Sequence, residues 1–528
     1  MNASATALGA WFRPRPRPDV RPIAWWRIPA YPVAFLALYV VLLWADSGIP
    51  SAMLVRPLLV VAGASVLLTL VAAGITADRD RGALIATCLL LTLLTSSDPL
   101  AIVLVGVALG VLVEGLVHRG RPSWIGRMAT RLLGALAVIL TIAVLLTATA
   151  DGVWEDIGQE LTTPPLTPLP AVTATSGAAA DAKAPDIYVI LLDAFPGDRA
   201  AKRATDGYDP DAFPAALQSR GFDVIRDSHS NYLLTPLTLT SMFWMRHIVD
   251  IPALDPPHGP LAQDWWRLKQ ALNDAPAIAD LREDGYEVIS VDGGYAHAHF
   301  DRVDRFIAQP TPPELELAVI NNTRMHKLLA AVAPDVLPAL ARTRIDDVFA
   351  QAGSVAREPH DRQRFVFVHV AAPHPPWVFN ADGSPRDPGY VSVTGEGAVP
   401  VQDSIDAGFD QATYIARQTT DVVDEILENS ATPPVIIVMS DHGPGADFSW
   451  TAPDASDYVS RASNFMAAYT PGHPGLIGDR LTPVNLFPTL FDPYLGVHVD
   501  RQPDTIWAWR GDAYLDAIEA PPVPGWTK

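Results

Sequence analysis

The sequence predicts a membrane domain of about five helical spans followed by an α/β/α sandwich. Three observations lead there. Long uncharged apolar runs crowd into the first 150 residues. A stretch rich in proline, alanine and threonine follows over 151–185. Beyond it, short apolar β-favouring runs alternate with helical patterns, as a mostly parallel sheet covered on both faces requires. At 528 residues and 49% hydrophobic content, the chain is long enough for two separate cores.

The spans come first. A bilayer core takes about 20 apolar residues per helix. The candidates are Ile28–Ala45, Pro57–Ile75, Ala83–Ser96, Leu100–Val117 and Leu132–Ala148. The third is short, and Asp98-Pro99 separates it from the fourth, so these two read as a tight hairpin or a re-entrant pair. Loop arginines set the orientation. They lie in the N-terminal arm (Arg13, Arg15, Arg17, Arg21, Arg27), after span two (Arg79, Arg81) and after span four (Arg119, Arg121, Arg127), with Arg131 at the edge of span five. The intervening loops hold only Arg56, at the edge of span two. The N-terminus is therefore expected inside, and everything after Ala150 outside. The long basic arm before the first run, without a small-residue cleavage site, argues against a cleaved signal peptide.

The charge divides the same way. Of the chain's 38 basic and 58 acidic residues, residues 1–150 hold 12 arginines, no lysine and 6 acids, which leaves 26 basic and 52 acidic residues for 151–528. So acidic a domain repels nucleic acid and anionic headgroups unless a cation intervenes, and a bound metal ion is one such cation. The single cysteine, Cys88, lies inside an apolar run, which excludes an intramolecular disulfide and a cysteine zinc site.

The linker 151–185 includes the proline-dense stretch 162–170 and reads as a semi-extended spacer. The soluble domain is placed at 186–500. Ile187–Leu192 is a continuous apolar run, and similar though less pure runs are Val288–Val291, Phe365–Val370 and Val435–Met439. A helical pattern over Phe409–Leu427 puts Ile415, Val422, Val423 and Ile426 on one face, and Pro433-Pro434 closes it. Residues 501–528, with Trp507 and Trp509, form a tail without a chemical signal.

In open α/β sheets, sites form beyond the carboxyl ends of the strands. Here Ile187–Leu192 ends in Asp193, Val435–Met439 ends in Ser440-Asp441-His442-Gly443, and Phe365–Val368 runs into His369-Val-Ala-Ala-Pro-His374. Singly, each has a plain structural use as a cap or turn residue. Together, two carboxylates and an imidazole make a mixed oxygen and nitrogen donor set that suits Zn²⁺ or Mn²⁺ better than Ca²⁺, with Mg²⁺ as a third candidate.

These residues carry a resemblance. Residues 186–490 resemble the alkaline phosphatase superfamily, in the sulfatase-like branch with the lipoteichoic acid synthases and phosphoethanolamine transferases. The strand-Asp193-Ala-Phe element resembles that branch's first metal-ligand motif, and Asp441-His442-Gly443 its second. The segment Asn231–Phe243 resembles its nucleophile segment, where a threonine lies seven residues before Met-Phe; counting back from Met242 gives Thr235. The pair His369 and His374 resembles two histidines that contact substrate in the phosphoethanolamine transferases. Five membrane helices ahead of the catalytic domain is also that branch's layout. The resemblance implies a metal held by Asp193, Thr235, Asp441 and His442, a threonine nucleophile at Thr235 with Thr238 and Thr240 as runners-up, and His369 or His374 as acid. The Cys/Ser-x-Pro-x-Arg segment of formylglycine sulfatases is not found near Thr235, which argues against sulfate cleavage by that route. The implied activity is transfer of a phospho-substituted group on a membrane lipid or envelope polymer. Hydrolysis of an envelope phosphodiester is one alternative, and a non-catalytic envelope assembly protein is another.

The orientation has a direct test. In a Cys88→Ala background, a Gln159→Cys variant should react with a membrane-impermeant maleimide on intact spheroplasts, and a Ser123→Cys variant only after lysis. The opposite pattern would invert the topology.

Overall fold

The computed structural model describes residues 28–45, 51–95, 97–119, 121–150, 184–204, 207–254, 261–308, 314–387, 401–445, 448–450, 452–509, 511 and 513–526. The linker residues 151–183 and the N-terminal arginines lie outside these. The described residues form two compact units: the helices of the first 150 residues together with residues 315–328, and the remainder.

Among the described residues the first 150 positions form five α-helices: α1 (Tyr31–Ala45), α2 (Val55–Thr76), α3 (Arg79–Leu94), α4 (Asp98–Val117) and α5 (Trp124–Ala150). Each covers most of one of the five apolar runs. Among the described residues, α2, α4 and α5 are long and apolar enough to cross a membrane, so three of the five expected spans meet that measure by length and composition. The reason is local. At 1.5 Å per residue the 15 residues of α1 reach about 22 Å, short of a core about 30 Å thick. The first turn of α3 is polar: Asp78 caps it by accepting from the Arg81 N–H, and Asp80 accepts from Thr130 Oγ1. The Arg81 guanidinium is buried, held by Glu114 and the Arg121 carbonyl. The apolar length of α3 therefore begins only at Gly82.

The outward faces of the longer helices are apolar. Leu59 is 69% exposed, Ile102 72% and Leu146 65%. So much uncovered hydrocarbon is stable against lipid, and the helices satisfy their own backbone groups as lipid demands. The arginine-bearing turns sit at the start of α3. At its other end, residues 315–328 dock on the α3–α4 turn. The Arg324 N–H donates to Leu93 O at 2.7 Å, its Nε to Thr95 O at 2.7 Å and its Nη2 to Asp98 at 2.6 Å.

In the second unit seven strands form one sheet: β1 (Ile187–Leu192), β2 (Asp223–Ile225), β3 (Glu287–Val291), β4 (Arg305–Ile307), β5 (Arg364–Val370), β6 (Val435–Met439) and β7 (Met466–Tyr469), in the order β2-β7-β6-β1-β5-β3-β4. Strands β6, β1, β5, β3 and β4 are mutually parallel, and β7 runs antiparallel to β6. The four long runs read from sequence are β1, β3, β5 and β6. Their unbroken apolarity has its cause in double burial. Ile187, Val189 and Leu191 join one core with the helices Thr235–Trp244 and Leu486–Leu495. Tyr188, Ile190 and Leu192 join the other with Val336–Arg357 and Val401–Asn429. The expected face of Ile415, Val422, Val423 and Ile426 is buried in that second core. The tail after Asp500 packs into a third apolar cluster: Ile506, Trp509, Leu515 and Trp526 lie with Tyr232, Leu233 and Leu237.

Register sets the site. Leu191 pairs with His369 on β5 and with Met439 on β6. Two residues on, Asp193 and Asp441 leave adjacent strands at the same level.

A tight contact in the helical unit is testable. A Cβ on Gly82 would lie 2.5 Å from Ala73 N, so α3 approaches α2 as closely as glycine allows. Gly82→Val should destabilise the detergent-purified chain by about 1–3 kcal/mol, read as a lower melting temperature. An unchanged melting temperature would refute the contact.

Candidate metal centre

Asp193 follows β1 directly and is fully enclosed. Its backbone N–H donates to Val370 O at 2.9 Å, and its carbonyl accepts from the His374 N–H at 3.0 Å, which ties the strand end to the loop after β5. The next residue, Ala194, has φ +61°. An alanine held in the left-handed region is strained. Here that turn aims the Ala194 N–H at Asp441 Oδ1, 3.1 Å away. One oxygen of Asp441 is thereby satisfied and the other is left.

Asp441 and His442 follow β6 and are completely buried. Gly443 lets their loop touch the helix Tyr458–Ala462: a Cβ there would lie 2.3 Å from Ser460 O. Ser440 anchors the same loop, with Oγ donating to Phe195 O and accepting from the Phe465 N–H, each at 2.8 Å. His442 Nδ1–H donates to Gly443 O at 3.0 Å. That bond puts the ring's lone pair on Nε2.

Around this nitrogen the site closes. Thr235 Oγ1 lies 3.2 Å away, Asp441 Oδ2 3.1 Å and Asp193 Oδ1 3.9 Å. Neither Asp193 Oδ1 nor Asp441 Oδ2 has a hydrogen-bond partner. Two orphaned carboxylate oxygens and an imidazole lone pair thus face one another in a dry pocket. Buried acceptors in contact repel unless a proton or cation joins them. Among the described residues, Asp193, Asp441 and His442 are the group whose ligand atoms all fall within 4.8 Å of one another. The residues present fit a divalent metal ion, and Thr235 Oγ1 adds a fourth oxygen or nitrogen donor.

The electrostatics agree. Burial works to raise Asp193, but the imidazoles of His374, His369 and His442 outweigh it and hold this carboxyl well below the usual range. At Asp441 burial and the Asp193 charge add, and the carboxyl is pushed up to about 7. Burial, then the Arg461 charge, push His442 well below an ordinary histidine, so it stays neutral and able to ligate.

The other threonines are occupied with backbone. Thr238 Oγ1 donates to Asp441 O at 3.3 Å, and Thr240 Oγ1 to Leu268 O at 3.5 Å. Thr235 is the member of the segment whose hydroxyl meets His442, and it opens a ten-residue helix whose N-terminus favours negative charge. The tail fixes this segment from behind: the Trp507 N–H donates to Asn231 O, and Asn231 Nδ2 to Thr505 O.

His369, on β5, and His374, in the loop after it, part company. His369 is buried, with Nε2 3.4 Å from Asp193 Oδ2, so its ring supports a metal-site carboxylate. Burial opposes its charged form, but Asp193 prevails and its pKa is raised. His374 is half-buried, with Nδ1 on Pro375 O at 2.8 Å.

Two features escaped the sequence reading. Asp292 follows β3 just as Asp193 follows β1, and it pairs with the buried His299 at 3.3 Å; the rule of an acid after an apolar strand would have found it. Arg461 is fully buried, and its Nη2 lies 3.0 Å from His442 Nε2. The visible signal was an arginine four residues before the apolar run Phe465–Ala468, with nothing to say what it meets.

No family model matches this sequence, and no curated protein does. Among solved structures, the chain is similar to the C-terminal periplasmic domain of EcEptC from Escherichia coli in complex with zinc, at 12% identity over 68% of this chain and 98% of that one, with a TM-score of 0.39. It is similar to the integral membrane lipooligosaccharide phosphoethanolamine transferase EptA from Neisseria meningitidis, at 12% identity over 88% and 96%, TM-score 0.35. It is also similar to the lipoteichoic acid synthase LtaP from Listeria monocytogenes, at 12% identity over 64% and 76%, TM-score 0.35.

The raised Asp441 makes metal binding pH-dependent. Below pH 7 the ion must displace its proton, so the affinity for Zn²⁺ or Mn²⁺ should fall about tenfold per pH unit from 7 to 5. In metal-free protein the raised pKa stabilises the fold at low pH, and that contribution is lost as pH climbs from 3.8 through about 7. The ion should therefore raise the melting temperature more at pH 8 than at pH 5. Equal gains at both would contradict the assignment.

Proposed function

We propose that this chain is a membrane-anchored, metal-dependent phosphotransferase that moves a phospho-substituted group on a membrane lipid or envelope polymer, with Thr235 as nucleophile. The observation that carries the reading is the position of Thr235 Oγ1, 3.2 Å from His442 Nε2 at the mouth of a buried group of acceptors and at a helix N-terminus. The motif resemblance supports the same roles for Asp193, Asp441 and His442.

A divalent ion held by Asp193, Thr235, Asp441 and His442, with Zn²⁺ or Mn²⁺ best suited to the donor set, supplies the charge that makes a threonine hydroxyl acidic near neutral pH. Thr235 Oγ attacks phosphorus, the bond to the leaving alkoxide breaks, and a phosphothreonine forms. His374 gives the leaving oxygen its proton; with Nδ1 on a carbonyl, Nε2 is the ring nitrogen that can carry it, and a positioned acid of this kind contributes about 10²–10⁴ in rate. An acceptor hydroxyl then loses its proton to the same imidazole and attacks phosphorus, and Thr235 Oγ departs. The Thr235–Trp244 helix, by its N-terminal dipole, stabilises the phosphorylated state. His369 holds Asp193 in place through the 3.4 Å contact.

The catalytic domain is placed outside the cytoplasm on the arginine asymmetry of the sequence: Arg79, Arg81, Arg119, Arg121 and Arg127 lie in the loops that the reading puts inside.

The nucleophile is tested by intact-protein mass after incubation with envelope lipids or a chromogenic phosphodiester. The wild-type chain should carry a phospho-substituted adduct on the peptide containing Thr235. Thr235→Ala should lose it, with turnover down about 10⁴-fold or more, and Thr235→Ser should keep it. An adduct persisting in Thr235→Ala removes Thr235 from the role.

A further inference from the structure

Arg461 belongs to the five-residue helix Tyr458–Ala462 and is completely enclosed. A buried guanidinium is costly unless each donor is used. Nε donates to Leu233 O at 2.9 Å, and Nη1 reaches Gly443 O at 3.4 Å, so the fork spans the nucleophile segment and the Asp-His-Gly loop. Phe448 and Trp450 lie beside it, with their ring centres 5.4 and 5.3 Å from the guanidinium carbon. Nη2 donates to His442 Nε2 at 3.0 Å, the same nitrogen that Thr235 Oγ1 approaches to 3.2 Å.

That last bond conflicts with the site's own chemistry. The Nε2 lone pair that Nη2 uses is the one His442 must give up as a metal ligand. In the loaded site, Nη2 would need a different acceptor, and Thr235 Oγ1 is the other group that meets the same nitrogen. We propose that Arg461 is a substrate-binding catalytic residue, whose Nη2 takes a non-bridging oxygen of the phosphoryl group attacked by Thr235. The assignment rests on the phosphoryl-transfer reading above.

The guanidinium is a cation and a non-bridging phosphoryl oxygen carries negative charge, so the contact is a charge-assisted hydrogen bond of the kind arginine makes with phosphate.

The test uses the full-length chain in detergent with its metal bound. Titration calorimetry with dimethyl phosphate, an unreactive phosphodiester, reads binding. Metal content and melting temperature are measured on the same samples. The wild-type chain should bind the probe only when metal is present. Arg461→Gln should keep its metal and weaken the probe about 10- to 100-fold, as loss of one charged hydrogen bond does, and Arg461→Lys should recover part of the loss. With a turned-over phosphodiester, the deficit should appear in kcat, about 10²–10³-fold. An unchanged probe affinity in Arg461→Gln, or no probe binding by the metal-loaded wild type, overturns the assignment. If both variants lose metal or fold, a crystal structure of the wild type with metal and probe decides: Nη2 on a probe oxygen supports the role, and Nη2 still on His442 overturns it. Probe binding through Arg461 without any turnover would sink the transferase reading and leave this one standing.

Discussion

Asp441 Oδ2 and His442 Nε2 are two acceptors 3.1 Å apart, in a pocket without water's dielectric, and a second carboxylate oxygen lies 3.9 Å from the same nitrogen. Left alone they repel. Much of the sheet domain can be understood as the scaffold that holds them together. The parallel register of β1, β5 and β6 brings the strand ends level. The left-handed turn at Ala194 pins one Asp441 oxygen and leaves the other free. Gly443 permits the close approach that puts His442 over the cluster. A divalent ion held there would convert this repulsion into binding energy.

The scaffold reaches beyond the sheet. The nucleophile segment is a loop and one short helix, which alone would fray. It is clamped on one side by Arg461, through Leu233 O, and on the other by the strand-like tail around Trp507. The tail's apolar residues share a cluster with Tyr232, Leu233 and Leu237. Its tryptophans therefore have a role that no motif discloses: they fix the backbone from which Thr235 projects.

How much of this the sequence disclosed follows from physical scale. Strands β1, β3, β5 and β6 are legible because burial on both faces leaves no polar alternation. Strands β2, β4 and β7 are three or four residues long and were not read, since so short a run has no period to detect. The residues Asp193, Asp441 and His442 were found because each follows an apolar strand. Choosing Thr235 over Thr238 and Thr240 needed a resemblance; geometry supplies a reason, since the latter two spend their hydroxyls on carbonyls. His369 was read as a substrate contact, and its Nε2 lies 3.4 Å from Asp193 Oδ2, a meeting that spacing along the chain does not disclose. Arg461 was opaque, because its partners at Leu233, Gly443 and His442 meet only in three dimensions. In the helical unit each of the five apolar runs forms a helix, and the apolar part of α3 begins at Gly82, next to the Ala83 where the sequence reading started it.

The central claim is that one ion is gripped by four side chains that are distant in sequence. Anomalous diffraction from crystals of the full-length chain grown with Zn²⁺ or Mn²⁺ measures it most directly. One strong peak is predicted within about 2.0–2.3 Å of Asp193, Asp441, His442 Nε2 and Thr235 Oγ1, vanishing in Asp441→Asn. A peak elsewhere, or a peak that excludes Thr235 Oγ1 from its coordination, would contradict the account.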